Sequence, residues 1–305
     1  MFARILCLIL IFYLVSTAQV QVEELGRFGG TGSTAGLFKN PSAIDITQDG
    51  RIVVCDRDNH RLQIFDLSGR FIEDIGGLGW ANDQFDEPRD IWARSALNIF
   101  VADYNNRRVQ RFDKDFNFIS SFTSNPGNDG RFQFREVLSV VYSPRGDLFI
   151  LDQGEKKVVK FDPSDRAEVA FAYYESGAGE LAAPVQLDLT SDYNLLISDA
   201  LNKVVFVFDY YGTFVRKIEY AQFKSPAGLA IDQENRIYIC DPAGSTIYIF
   251  TPRGNFLGKI DSLGGIALSS PVDIALIYRD SRYQIAMIDK DQVILASLKY
   301  DLPQE

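Results

Sequence analysis

The chain has 305 residues, of which 46% are hydrophobic and 24% charged, and its formal net charge is −10. This composition is that of a folded protein with a sizeable core, and it excludes a disordered or low-complexity chain. Nucleic-acid binding draws on Lys and Arg opposite phosphate, so an acidic chain of this kind is expected to have no nucleic-acid partner.

Residues 1–18 differ from the rest of the chain. Arg4 is their only charge, and an apolar run over 5–15 is followed by small residues. This order predicts a signal peptide over 1–18, cleaved before Gln19, and export to the periplasm or the cell exterior. An uncleaved anchor is the alternative, but the run is shorter than the roughly 20 residues that a bilayer requires. No later segment could span a membrane.

The remaining sequence repeats. Each unit opens with Pro, or with Val137 in the third copy, and closes fifteen residues later with Asp; the sixth copy carries three extra residues around 279–283. The closing residues are 42 to 49 positions apart, a period that matches a unit of four short strands. They are Asp56, Asp103, Asp152, Asp199, Asp241 and Asp289.

Short apolar runs separated by Gly, Asn and Asp predict the strands of each unit. In the first unit the predicted strands are 43–46, 51–55, 62–65 and 71–75.

The two ends of the repeat array are complementary. Phe28 lies as far before Pro41 as Ile75, the end of the predicted fourth strand of the first unit, lies before Pro88. The array therefore begins with a fourth strand. The sixth unit ends where its own fourth strand would start. We therefore predict an all-β, six-bladed β-propeller over 22–301. Each blade has four antiparallel strands, and the N-terminal strand closes the last one.

Two segments carry a family resemblance. CDRDNHRLQIFD (Cys55–Asp66) and ADYNNRRVQRFD (Ala102–Asp113) resemble the NHL repeat, whereas the third and sixth copies are degenerate. The resemblance covers essentially all of the chain after 1–18. It implies a six-bladed propeller used for protein, RNA or ligand binding, and sometimes for lyase or lactonase chemistry.

The closing aspartates are interpreted as structural residues. They recur in every unit, whereas one active site would need such a residue once, and a short carboxylate at a strand end can accept turn amides. Cys55 and Cys240 each precede a closing Asp in separate units, so we expect buried free thiols and no disulfide.

The sequence favours a binding module over an enzyme. His60 is the only histidine, while lyases related to the NHL scaffold rely on several metal-binding histidines, so no catalytic residue and no cofactor is predicted. Gly30–Ala35 matches a dinucleotide pattern but lacks the following helix and is interpreted as a loop. The alternative is a calcium-assisted hydrolase or lactonase with acidic residues around the channel. Its candidates, which could instead be solvated positions flanking the core, are Asp45, Asp90, Asp188 and Asp273.

The favoured functional surface is the face made by the loops before each first strand and between strands two and three. We expect it to bind a protein, peptide or glycan, or to act as a scaffold, with Trp80 as an aromatic anchor unless that side chain packs between blades. The candidate residues are Asp58, Asn59, His60, Trp80, Arg89, Asp90, Tyr104, Asn105, Arg107, Gln186, Asn202 and Lys203.

Overall fold

The computed structural model describes residues 19–301 except 125–126, 128 and 174–178, so the predicted signal peptide over 1–18 lies outside the described residues. Within them the fold is all-β, with six four-stranded antiparallel sheets arranged as blades. Among the described residues, no helix is long and apolar enough to cross a bilayer.

The first five blades follow one another along the chain. Blade 1 contains β2 (Ala43–Ile46), β3 (Ile52–Asp56), β4 (Arg61–Phe65) and β5 (Phe71–Gly76). Blade 2 contains β6 (Pro88–Trp92), β7 (Ile99–Asp103), β8 (Arg108–Phe112) and β9 (Phe118–Thr123). Blade 3 contains β10 (Val137–Tyr142), β11 (Leu148–Asp152), β12 (Lys157–Phe161) and β13 (Ala167–Phe171). Blade 4 contains β14 (Pro184–Leu189), β15 (Leu195–Asp199), β16 (Val204–Phe208) and β17 (Phe214–Glu219). Blade 5 contains β18 (Leu229–Ile231), β19 (Ile237–Asp241), β20 (Thr246–Phe250) and β21 (Phe256–Ile260).

Blade 6 is assembled from both ends of the described chain. It contains β24 (Pro271–Arg279), β25 (Arg282–Asp289), β26 (Gln292–Asp301) and, as its outer strand, β1 (Gln19–Gly29). Strand β1 pairs antiparallel with β26 from Gln19 opposite Asp301 to Gly29 opposite Gln292. The ring is thus closed by the N-terminal strand, as the sequence predicted, and this strand begins earlier than the predicted boundary at 22.

Small elements complete the described chain. A two-stranded hairpin of β22 (Ser262–Leu263) and β23 (Ile266–Ala267) lies before blade 6. Short 3₁₀ helices occupy Arg57–Asn59, Gly130–Phe132 and Pro242–Gly244. The extra residues predicted near 279–283 lengthen the β24–β25 hairpin, whose turn places Asp280 and Ser281 in the left-handed region.

Burial explains the apolar pattern of the strands. Second strands such as β3 and β7 are buried at every position, because sheets cover both of their faces. Fourth strands such as β9 and β17 alternate between less and more exposed positions, because they form the outer edge of the blade. In blade 1, strand two is shifted by one residue from its predicted range, while strands three and four are each one residue longer than predicted.

The hydrophobic core is divided among the blade interfaces. Six clusters of buried apolar side chains each join two neighbouring blades, including one that brings Ile44 of blade 1 against Ala286 of blade 6. A large apolar side chain buried in this way stabilises the fold by about 1.5–3 kcal/mol. Cys55 and Cys240 lie in these clusters as buried free thiols. The first strands of successive blades contact each other around the ring, β24 against β2 included, and surround a central channel.

A repeated glycine fixes the entry to the first two blades. Gly29 and Gly76 have φ of +97° and +118°, and a Cβ on either would lie 2.6 Å from a ring carbon of Phe38 or Phe85. Only glycine combines this backbone with such a close approach. The Gly and Phe shared by the two loops therefore hold each connection against its blade.

Candidate functional site

The upper face is defined here as the face that carries the loops before each first strand and between strands two and three. The six closing aspartates lie beneath it and are at most 8% exposed. Each accepts a backbone N–H from the loop before the first strand of its own blade, at 2.6–2.8 Å. These carboxylates bind the two sets of upper loops together, as turn-capping acceptors.

In blade 1 the second oxygen of the closing aspartate collects three side chains. Asp56 Oδ2 accepts hydrogen bonds from Asn59 Nδ2 at 2.8 Å, Arg61 Nε at 2.8 Å and Gln63 Nε2 at 3.0 Å. The same set in blade 2 comprises Asp103, Asn106, Arg108 and Gln110. The spacing Asp-x-x-Asn-x-Arg-x-Gln is thus one buried polar network. Sequence reasoning recognised the Asn and Arg positions but missed the Gln.

The loop between strands two and three has one backbone position with positive φ in every blade. Its φ is between 50° and 59°. The six residues are His60, Arg107, Lys156, Lys203, Ser245 and Lys290. Three predicted partner-face residues, His60, Arg107 and Lys203, therefore occupy one equivalent place.

Several other predicted partner-face residues are engaged within the fold. Asn59 also donates to the Gly32 carbonyl at 2.9 Å. His60 Nδ1 accepts the Glu87 N–H at 3.2 Å and lies 3.3 Å from Asp86 Oδ1. These contacts join blade 1 to the loop that enters blade 2.

Four more of the predicted partner-face residues also have contacts within the fold. Asp58 pairs with Arg57 at 2.9 Å, and Asn105 Nδ2 donates to Asp86 Oδ1 at 3.1 Å. The Tyr104 hydroxyl donates to Gln153 Oε1 at 2.9 Å. Asn202 Nδ2 donates to the Glu180 carbonyl at 3.3 Å.

Trp80 is the large aromatic side chain offered to solvent in the loop entering blade 2. It is 61% exposed rather than packed between blades, and neighbouring Leu78 is 66% exposed. The Arg108 guanidinium lies 5.4 Å from the indole centroid, within range of a cation–π contact. Arg107 and Lys203 are exposed on the same face. These residues form the accessible part of the predicted surface.

The channel wall carries a second repeated contact. In four units the third residue is polar and accepts the N–H at the start of the next blade. The pairs are Asp273 with Ile44, Asp90 with Val140, Ser139 with Leu187, and Gln186 with Leu229, at 2.5–3.1 Å. Blades 1 and 5 have Ala43 and Gly228 at this position. This hydrogen bond joins the first strands of neighbouring blades, and blades 1 and 5 have no polar side chain at this position that could accept it.

These residues line a cup at the upper mouth of the channel. It has a volume of about 170 Å³ and is lined by residues of all six blades, including Arg89, Asp90, Gln186, Gly228 and Asp273. Asp90 Oδ2 accepts the Ser139 hydroxyl at 2.5 Å, and Asp90 Oδ1 accepts Gln186 Nε2 at 3.2 Å. Asp273 Oδ1 is buried and has no hydrogen-bond partner within the part of the chain that the structure describes.

The two carboxyl groups of the cup are hard to ionise. Burial raises the pKa of Asp90 to about 6, although hydrogen bonds from Ser139, Val140 and Gln186 oppose the shift. Burial, reinforced by the charge of Asp90, raises the pKa of Asp273 well above its ordinary value. Arg89 at the rim pairs with Glu87 at 2.9 Å and lies 4.4 Å from the Tyr104 ring.

The lower mouth is built differently. Arg94, which follows the first strand of blade 2, donates to Asp45 Oδ1 of blade 1 at 3.1 Å and to both oxygens of Asp188 of blade 4 at 2.9 Å. Blades 1 and 4 face each other across a six-bladed ring, so the guanidinium bridges the channel. Sequence reasoning missed Arg94, because no repeat pattern marks a residue present in one copy.

The four predicted acidic candidates therefore separate into two pairs. Asp45 and Asp188 are held by Arg94 at the lower mouth, while Asp90 and Asp273 line the upper cup. All four are at most 3% exposed, so they are not the solvated positions offered as the alternative. Within the described ranges, no three His, Cys, Asp or Glu side chains come together in a way that could hold a metal ion.

The fold and the upper face define a closed six-bladed propeller with a shallow polar cup. A sequence profile of the NHL repeat matches residues 38–65. Drosophila melanogaster "Protein brain tumor" is 37% identical over 65 residues, which is 21% of this chain and only 6% of that protein. The chain therefore carries a recognisable NHL repeat over residues 38–65 within a six-bladed propeller.

Solved structures show the same fold at low identity. Virginiamycin B lyase from Staphylococcus aureus superposes with a TM-score of 0.60 at 12% identity, covering 92% of this chain and all of that one. A gluconolactonase from Xanthomonas campestris gives a TM-score of 0.66 at 11% identity, covering 92% and 90% of the two chains. At this identity the likeness extends to the architecture alone.

Proposed function

We propose that this chain is an exported NHL-repeat propeller that binds a protein, peptide or glycan through its upper face. The observation that carries the proposal is the asymmetry of the channel. Residues of all six blades form an open cup at the upper mouth, whereas an internal ion pair spans the lower mouth. Loops that a rigid scaffold holds in place are where binding residues concentrate.

The accessible side chains support a partner larger than a small molecule. The cup is smaller than the roughly 300–1,000 Å³ of ordinary ligand pockets, so it can receive one side chain but not a whole drug-sized ligand. Exposed Trp80 and Leu78 lie outside it on the same face and provide an apolar contact. An aromatic anchor beside polar loops is the usual composition of a protein interface.

A crosslinking experiment tests the face. The full chain is expressed in its native host with a photo-crosslinking side chain in place of exposed Arg107 on the upper face, or of Leu97 on the lower face, which is 73% exposed. We expect a discrete adduct from position 107 and none from position 97. Trp80→Ala should reduce the adduct about tenfold, and Leu97→Ala should leave it unchanged. Equal adducts from both faces would contradict the proposal.

Export is proposed from the sequence of 1–18. Cleavage before Gln19 would keep all of β1, which begins at Gln19 and closes the ring. Mass spectrometry of the exported fraction should find a mature chain that starts at Gln19. An intact N-terminus in the cytosolic fraction would refute this part of the proposal.

A further inference from the structure

We propose that the cup at the upper mouth receives a primary ammonium group of the partner, a lysine side chain or an N-terminal amine, and that Asp90 and Asp273 hold it. This inference rests on the proposed function, because it names the chemistry that the upper face recognises. Nothing in the NHL pattern itself points to this group, since the two carboxylates come from the blade 2 and blade 6 copies alone.

The first observation is an acceptor without a donor. Asp273 is 1% exposed and lines the cup, and its Oδ2 accepts the Ile44 N–H at 2.9 Å. Its Oδ1 is buried and has no hydrogen-bond partner within 3.5 Å among the described residues, although the Gln186 amide is close enough to oppose the rise in the pKa of Asp273. A buried carboxylate oxygen left unpaired is costly, so a donor supplied from outside would stabilise this arrangement.

The second observation is the opening beside that oxygen. Gly228 occupies the position at which Asp90 and Gln186 place side chains in the cup. A Cβ on Gly228 would lie 2.7 Å from Asp273 Oδ1 and 2.4 Å from the Val272 carbonyl oxygen. The glycine therefore both permits the close approach of blades 5 and 6 and leaves the side of Oδ1 open.

The donor count favours an ammonium over a metal ion. Calcium takes six to eight oxygen ligands, whereas the cup offers two carboxylates, about half of whose lone pairs are already engaged by Ser139, Val140, Gln186 and Ile44. An ammonium carries three donors and needs only two or three acceptors. The size of the cup, about 170 Å³, suits one extended side chain.

The charges around the cup are consistent with a cation at its floor. The rim guanidiniums are already paired, Arg57 with Asp58 and Arg89 with Glu87, each at 2.9 Å. Arg89 Nε is buried and has no acceptor among the residues that the structure describes. The formal net charge of −10 attracts basic partners at long range.

Calorimetry with defined probes tests the inference. The probes are Nα-acetyl-lysine methylamide, which presents the side-chain ammonium, and alanine amide, which presents an N-terminal amine. Nα,Nε-diacetyl-lysine methylamide is the neutral control, and calcium chloride tests the metal alone. We expect one or both ammonium probes to bind the full chain and the neutral control to bind at least tenfold more weakly. The tighter probe identifies the source of the amine.

Variants separate the site from general charge effects. Asp273→Asn keeps an acceptor for Ile44 and should lower probe affinity about tenfold or more. Glu155→Gln removes one exposed carboxylate from the same face and should change it less than about twofold. If Asp273→Asn does not fold, Asp90→Asn takes its place with the same expectation. Equal binding of the neutral probe, unchanged affinity in the cup variants, or tighter binding of calcium would each overturn the inference.

The crosslinking experiment distinguishes the two proposals. If an upper-face partner is captured equally by wild type and Asp273→Asn, the ammonium site is wrong while the proposed function stands. If the probes bind as expected but no partner crosslinks at position 107, the proposed function fails while the chemistry of the cup remains.

Discussion

Each mouth of the channel carries a pair of buried aspartates, but the groups that stabilise their carboxylates differ. At the lower mouth, Asp45 and Asp188 share the guanidinium of Arg94. At the upper mouth, Asp90 and Asp273 have amide and hydroxyl donors, and within the described part of the chain no cation pairs with them. At the lower mouth, where the chain supplies a cation, the carboxylate pair connects blades across the ring. At the upper mouth, where the described residues supply none, we expect the pair to be available to a partner.

The prediction with the largest expected effect on stability removes the Arg94 guanidinium from the lower mouth. Arg94→Met keeps an apolar stem and leaves two carboxylates buried without their partner, which should cost about 4 kcal/mol of unfolding free energy. Urea unfolding followed by circular dichroism measures the loss. Asp273→Asn at the upper mouth, where no ion pair is broken, should cost less than about 1 kcal/mol.

A rescue variant identifies the cause of that loss. Asp45→Asn together with Asp188→Asn, added to Arg94→Met, removes the unpaired charges and should restore most of the lost stability. Failure of this triple variant to recover would mean that Arg94 acts through packing. The contrast between the mouths would then no longer be electrostatic.

The architecture could be predicted from the sequence because the repeat over-determines it. Six intervals that close with Asp, five of which open with Pro, indicate the blade number, and the match between the loops after Phe28 and Ile75 indicates the strand that closes the ring. The differences are at strand ends: one residue in blade 1, and three residues at the start of β1. Strand ends depend on turn hydrogen bonds, whereas the apolar pattern defines only strand interiors.

The second test uses pH to examine the upper mouth. Burial raises the pKa of Asp90 to about 6 from 3.8, so between these values the folded protein holds a proton that the unfolded chain has released. Stability contributed by this group should therefore fall by about 3 kcal/mol as pH rises from about 4 to above 6, and stay constant above that. The measurement is the difference in unfolding free energy between wild type and Asp90→Asn across this range. Parallel curves would show that Asp90 is not desolvated.

The site was harder to predict than the fold because its members come from different copies. Sequence reasoning selected Asp45, Asp90, Asp188 and Asp273 together, although Asp45 and Asp188 occupy the fifth position of their units and Asp90 and Asp273 the third. It did not assign them to opposite mouths, and the spacing does not reveal the irregular pairing with which the first strands carrying Asp90, Asp188 and Asp273 begin. Arg94 lies beyond the end of β6, in a lower loop that the repeat does not constrain.

The prediction with the smallest expected effect on stability concerns Trp80, which we expect to contribute to partner binding and not to folding. Trp80 is 61% exposed, so Trp80→Ala removes little buried apolar area. Arg108 beneath the indole keeps its 2.7 Å contact with Asp103 and its bonds to the Ala81 and Gln84 carbonyls. Unfolding free energy should therefore change by less than about 0.5 kcal/mol. A larger loss in urea unfolding would place Trp80 in the scaffold, and the upper face would then lack its aromatic anchor.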